Sequence, residues 1–360
     1  MKMKKFLSAL MACAALSASA PAMPATYASQ EYTDGTYQSI TYRNYGDHIR
    51  ITGCEDSAAE IAIPAEINGV TVTEIGSSAF SYHSDLTSVT LPNTITLISD
   101  YAFFYCDSLV NINLPDSITE IQENAFSNCH SLVSVDIPKN ITSISEDLFS
   151  GCIALENITI PEGVTSIGEN AFNTCRSLRS ISIPENVASI GGYAFSTCES
   201  LINITLPYSV ASIGTSAFYG CTDMKKMIIL NPECKILGGK TTITNDYDFI
   251  KNVGILYGTI YGYENSTAMT YAEEFSYPFR AFESIGDVNF DGAIDALDAS
   301  LVLTEYSANA TGQDSALSDS ALSVADVNFD TAIDALDASA ILSFYASNAT
   351  GGNGTIFDFI

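Results

Sequence analysis

From residue 63 to about 230 the apolar positions recur with a period of 23. In one unit, LENITIPEGVTSIGENAFNTC (155–175), Leu155, Ile158 and Ile160 alternate with polar residues as a short strand. Pro161 ends it, because proline has no N–H to give a sheet ladder. Val164 and Ile167 turn back inward, and Ala171-Phe172 fill the opposite wall. The markers keep step: Pro92, Pro115, Pro138, Pro161, Pro184 and Pro207; Phe103, Phe126, Phe149, Phe172, Phe195 and Phe218; Cys106, Cys129, Cys152, Cys175, Cys198 and Cys221. One such unit cannot bury its own apolar face, but stacked units can. The pattern therefore predicts a solenoid of short parallel strands. Seven coils stacked about 4.8 Å apart would make a rod roughly 30–35 Å long.

The flanks break the period. Tyr37 to Val72 reads as irregular strands with an Asn68-Gly69 turn, and Leu230 stands where the next proline is due. GTIYGYENSTAMTYAEEF (258–275) reads as a last strand and a short helix capped by Ser266 or Asn265. Beyond residue 286 the pattern changes to helical spacing. Leu297, Leu301 and Val302 share one face of ALDASLVLTEYSA, and Leu336, Ala340 and Ile341 share one face of ALDASAILSFYASN.

Composition alters this picture in three places. The first residues carry Lys2, Lys4 and Lys5 ahead of an apolar run from Phe6 to Ala20, the pattern of an export signal cleaved after Ala22 or Ala28. A lipoprotein box at Leu10-Met11-Ala12-Cys13 is the alternative. The chain is expected to be secreted, with no membrane span. A formal charge of −28 argues against nucleic acid and anionic membrane as partners. Finally, nine cysteines would ordinarily announce disulfides. Equivalent positions in stacked coils have parallel Cβ vectors, poor geometry for an S–S bond. The ladder reads as buried thiols acting as small apolar residues, and pairing of Cys54 with Cys234 stays open.

Between Gly286 and Gly352 there is no Lys, Arg or His, and DVNFDGAIDALDAS (287–300) returns as DVNFDTAIDALDAS (326–339). Calcium takes six to eight oxygens, which a 12-residue loop supplies from positions 1, 3, 5, 7, 9 and 12. In the first copy these are Asp287, Asn289, Asp291, the carbonyl of Ala293, Asp295 and Asp298, with Gly292 at the sharp turn. In the second they are Asp326, Asn328, Asp330, the carbonyl of Ala332, Asp334 and Asp337. Ile294 and Ile333 point into the core between the loops. Thr331 replaces the glycine, and a β-branched residue at positive φ is costly. Two Ca²⁺ sites are therefore expected, the second weaker.

The repeated Ile/Leu-Pro, Ser-Ile-Gly and Ala-Phe pairs, the cysteine ladder and the YGYENSTAMTYAEE segment make residues 31–280 resemble the BspA-type bacterial leucine-rich repeats. That resemblance implies an extracellular interaction module. The twofold loop-then-helix of 286–352, with its DALDAS and LTEY/LSFY wording, resembles a rumen-type type I dockerin. Such a module implies a calcium-dependent plug for a cohesin module of a scaffoldin in a cellulosome, and contacts at Ala296, Leu297, Leu303 and Thr304 and at Ala335, Leu336, Leu342 and Ser343. Two similar faces would allow docking in either of two orientations.

The expected organisation is a signal peptide at 1–28, a capped leucine-rich repeat α/β-β solenoid at 31–280, and a linker at 281–285. A small all-α calcium-binding dockerin at 286–352 and a tail at 353–360 complete it. Phe357 and Phe359 are expected to clasp the module near Phe282. No catalytic motif emerges: His48, His83 and His130 are scattered, and there is no GxSxG or HExxH. The chain thus reads as a non-catalytic, secreted component linked to polysaccharide catabolism through its complex, with an unknown protein or surface ligand for the repeats. The alternatives are a hydrolase within the complex and a structural spacer.

Overall fold

The computed structural model describes residues 32–360 except 56–57, 249, 283–284, 329, 331, 352–355 and 360. The expected signal segment, the middle of the 281–285 stretch and Thr331 lie outside the described residues.

Each coil lays one short strand on the first face of a solenoid. Glu60–Ala62, Ser88–Thr90, Asn111–Asn113, Ser134–Asp136 and Asn157–Thr159 pair in parallel. Asn203–Leu206, Lys226–Ile229, Thr259–Gly262 and Phe279–Ala281 form a second parallel run. The coil between them, at 180–183, joins neither ladder. On the adjoining face Val70–Ile75, Leu97–Ile98 and Glu120–Ile121 pair in parallel. Ile144 bridges to Ile167, and the ladder resumes at Ser166–Ile167, Ser189–Ile190, Ser212–Ile213 and Lys235–Ile236. The solenoid has about ten turns rather than the seven that the marker residues count. The extra turns keep the inward alternation but lack the proline and the phenylalanine that mark the other coils.

The core is a set of columns. Phe80, Phe103, Phe126, Phe149, Phe172, Phe195 and Phe218 are all fully buried. Neighbouring rings stack at centroid distances from 5.1 to 5.7 Å. Ring spacing thus matches coil spacing, and each ring serves two coils at once. The thiols beside them do more than fill space. Cys106 Sγ donates to the carbonyl of Phe80 at 3.1 Å, and Cys129, Cys152, Cys175, Cys198 and Cys221 repeat this with the phenylalanine 26 residues earlier. That oxygen already accepts an amide of its own turn, as Phe103 does from Cys106 at 3.2 Å. The thiol therefore satisfies a second lone pair that water cannot reach. Burial pushes the Cys152 and Cys221 thiols up to about 12. No disulfide joins the described cysteines: Cys54 lies in the N-terminal cap and Cys234 at the far end of the stack.

The caps follow from local chemistry. At the N-terminal end Thr33–Tyr37, Ile40–Asn44 and Ile49–Cys54 form an antiparallel meander whose last strand pairs in parallel with Val70–Ile75. Asn68 and Gly69 both take positive φ, 53° and 81°, making the hairpin turn expected of that dipeptide. At the other end helix α1 (Thr267–Phe275) starts at Ser266, whose hydroxyl accepts the amide of Met269 at 3.1 Å.

A small helical module follows. Helices α2 (Ala296–Thr311) and α4 (Ala335–Ala349) pack against each other, and a short α3 (Asp319–Ala325), absent from the sequence expectation, leads into the second acidic loop. Its seven residues carry too short an apolar pattern to announce a helix. Glu305, buried on α2, accepts the amides of Ala316 and Leu317 and so fixes the α2–α3 turn. The module shares an apolar cluster with the solenoid, in which Ile228 and Tyr261 meet Phe282, Ile285, Val288, Val324 and Val327. Phe282 and Ile285, expected in a linker, are buried in this joint. The clasp near Phe282 is closed by Ile356, buried in that cluster, while Phe359 packs edge-on to Phe344. The side chain of Phe357 lies outside the described residues.

Candidate calcium loops and docking face

Each acidic loop is folded by its own carboxylates. In the first, Asp287 accepts the amides of Asp291 and Gly292 at 3.1 and 2.9 Å, drawing the chain into a ring. Asn289 accepts from Asp291, and Asp291 from Ala293, at 2.8 and 2.9 Å. Gly292 sits at φ 87°, which supplies the sharp turn. Phe290, an exposed ring at φ 58°, is a left-handed position that the sequence did not mark. Asp298 is fully buried; it accepts Val288 and Asn289 with one oxygen and Asp295 with the other. Asp295 in turn accepts Leu297 at 2.7 Å, and the two carboxylates form a capping box at the start of α2.

The second loop repeats this with an offset of 39. Asp330 accepts Ala332, Asp334 accepts Leu336, and Asp337 accepts Val327, Asn328 and Asp334. Burial holds the carboxyls of Asp298 and Asp337 above their usual range, partly offset by these amides. Ile294 and Ile333 pack on the shared apolar cluster as expected.

The donor set fits calcium: hard oxygens at the required spacing, with no softer ligand among them. Among the described residues no three His, Cys, Asp or Glu side chains are already drawn together as a metal cage. The carboxylates face loop amides, and each keeps lone pairs for a cation. Calcium, when bound, would cancel the repulsion among four carboxylates per loop and fasten the loop to the helix it caps.

The eight residues expected at a docking face are all exposed. Leu297 and Leu303 on α2 are 56 % and 44 % accessible, and Leu336 and Leu342 on α4 are 64 % and 42 %. Tyr306 and Tyr345, also 39 apart and each 44 % accessible, repeat the correspondence between the two helices. The repeated LTEY/LSFY carries this correspondence in the sequence. The buried sides of the helices are Ala299 with Val302, and Ala338 with Ile341.

The family description for the BspA type leucine rich repeat region matches residues 73–201 and 142–242, with six copies, and that for the dockerin type I domain matches residues 285–343. The chain is a BspA-type leucine-rich repeat protein carrying a type I dockerin. Both are non-catalytic module types, and a type I dockerin binds calcium and a cohesin partner. No curated protein matches. Among solved structures, a leucine-rich repeat protein of T. pallidum is 30 % identical over 53 % of this chain and 91 % of its own, with a TM-score of 0.49. A leucine-rich cell surface protein of Faecalibacterium prausnitzii is 26 % identical over 62 % and 78 %, with a TM-score of 0.43. A leucine-rich repeat protein of Bacteroides ovatus is 23 % identical over 64 % and 71 %, at 0.37.

The repeats of this dockerin-bearing chain offer three features to a ligand. The polar columns of the first face, among them Asn157, Ser180 and Asn203, line an open groove of about 580 Å³ where the 180–183 coil leaves the ladder. On the adjoining face Glu120, Glu123 and Glu146 line a groove of similar volume. Burial and the charges of Glu123, Asp147 and Glu169 raise the carboxyl of Glu146. At a corner near the N-terminal end, the rings of Tyr82 and Tyr105 stack at 5.4 Å, with Phe104 edge-on to both. Tyr82 is 69 % accessible, and both tyrosines take positive φ where later coils use Asn128, Gly151 or Thr174. No described helix is long and apolar enough to cross a membrane.

Proposed function

We propose that this chain is a secreted, non-catalytic component of a cellulosome-type complex. Its dockerin, loaded with calcium at Asp287–Asp298 and more weakly at Asp326–Asp337, plugs into a scaffoldin cohesin, and its repeats hold a second ligand. The observation that carries the reading is the doubled set of open apolar side chains, Leu297, Leu303 and Tyr306 on one helix and Leu336, Leu342 and Tyr345 on the other, each helix capped by an acidic loop. Equal sets of side chains on packed helices let a cohesin engage either one. A link to polysaccharide catabolism follows from the complex. The aromatic corner at Tyr82 and Tyr105 is the strongest place for the ligand of the repeats, since Tyr82 stands exposed, the half-buried Tyr105 stacks on it, and both take a backbone conformation that disfavours them.

The test is capture of cohesin-bearing scaffoldins from native secreted proteins by the mature chain, in calcium and in excess chelator. The expected result is capture in calcium alone, lost when Asp287 and Asp326 are both changed to Ala. Absence of any scaffoldin in calcium would refute the plug. A ligand retained in chelator and lost on Tyr82→Ala would belong to the repeats. The hydrolase alternative rests on the Glu123–Glu146 groove; cell-wall polysaccharide hydrolysis abolished by Glu146→Gln would establish it against this proposal.

A further inference from the structure

The two calcium loops are alike in sequence and unlike in surroundings. In the first, Asp287 closes on the loop's own amides. In the second, the equivalent carboxylate, Asp326, is met by the ammonium of Lys226, on the strand Lys226–Ile229 of the solenoid. The pair is shielded: side-chain accessibility is 18 % for Lys226 and 8 % for Asp326. It lies beside the apolar joint formed by Ile228 and Tyr261 with Val324 and Val327. Tyr261 feels the charges of both Arg280 and Asp326, so the cationic side of this joint comes from the solenoid. The dockerin has no Lys, Arg or His between residues 286 and 352, so every protein cation on its loops must come from elsewhere in the chain.

We propose that Lys226 is a built-in cation of the second calcium site: the solenoid sets that site's affinity, and calcium there weakens the solenoid–dockerin joint. This rests on the proposed binding of calcium at the second loop. A first-position aspartate supplies one of the ligand oxygens of such a loop. An ammonium on that carboxylate offers one positive charge where calcium brings two, and the two repel across a shielded gap. Linkage makes the effect reciprocal: whatever Lys226 costs calcium, calcium costs the Lys226 contact. Among the described residues no ammonium or guanidinium meets Asp287 of the first loop, so the second is the weaker one for a reason beyond Thr331. The second loop would then fill last and report free calcium to the orientation of the solenoid.

Calcium titration of the full mature chain by calorimetry tests this, comparing the natural protein with Lys226→Met and Lys226→Arg. Methionine keeps the length and apolar stem and removes the charge; arginine restores it. The expected result is two sites in each protein, with the weaker tightened about tenfold in Lys226→Met alone and the stronger unchanged. Calcium should also speed protease cleavage within residues 276–290 of the natural protein, and do so less in Lys226→Met, whose joint lacks the ion pair from the start. Two sites with unaltered affinities would overturn the inference while leaving two-site binding intact. A single site in all three proteins would overturn the two-site reading and this inference with it.

Discussion

If α2 and α4 of the dockerin present equivalent docking faces, mutation should act on them in a sharply non-additive way. Leu297 and Leu336 are the most open leucines of the pair, 56 % and 64 % accessible, and an exposed leucine buried by a partner contributes about 2 kcal/mol. Leu297→Ala removes that contact from one orientation and leaves the other whole. The measured affinity then falls only to the share of the surviving orientation, about twofold or 0.4 kcal/mol. Leu336→Ala should do the same. The double variant has no intact face and should lose the full 2 kcal/mol, about thirtyfold. Neither leucine belongs to the buried side of its helix, so all three variants should keep the melting temperature of the natural protein in calcium. Titration of each against an isolated cohesin module in calcium measures the four affinities. A single variant as weak as the double would refute the argument, because one face would then be carrying all the binding.

The column of thiols predicts a steep alkaline instability. Burial pushes Cys152, Cys221 and Cys234 up to about 12, 12 and 11 and raises Cys129, Cys175 and Cys198, and the contact with Cys129 together with burial raises Cys106, against an ordinary value of 9.0. The unfolded chain sheds these protons first, so stability is complete below about pH 8 and falls as pH rises. Seven thiols at up to about 1.4 kcal/mol per pH unit each give a limiting slope on the order of 10 kcal/mol per unit once the unfolded thiols ionise, readable by urea unfolding under reducing conditions. Phe149→Ala, which empties the centre of the ring column, should cost about 3–5 kcal/mol in the same assay without changing cohesin affinity. Thr331→Gly should tighten the weaker calcium site severalfold by calorimetry, whereas Gly292→Ala should weaken the stronger one, its φ of 87° being strained for any side chain.

The amino-acid sequence by itself determined the coil, its inward residues, the Asn68-Gly69 turn and the acidic loops ahead of the two long helices, and it narrowed the start of α1 to Ser266 or Asn265. These are local matters: a 23-residue period, a turn dipeptide and a fixed ligand spacing each act within one coil or one loop. The tertiary structure decided what depends on neighbours. The extra turns of the solenoid exist because coils without the marker residues can still stack on those that have them. The cysteines became hydrogen-bond donors only when a carbonyl 26 residues earlier was brought beneath each thiol. Helix α3 is too short to declare itself and is held in a module whose turn Glu305 fixes from α2. The contact of Lys226 with Asp326 spans 100 residues of chain and has no trace in any repeat or motif. Charge placed by packing, rather than by spacing, is what makes two nearly identical loops different.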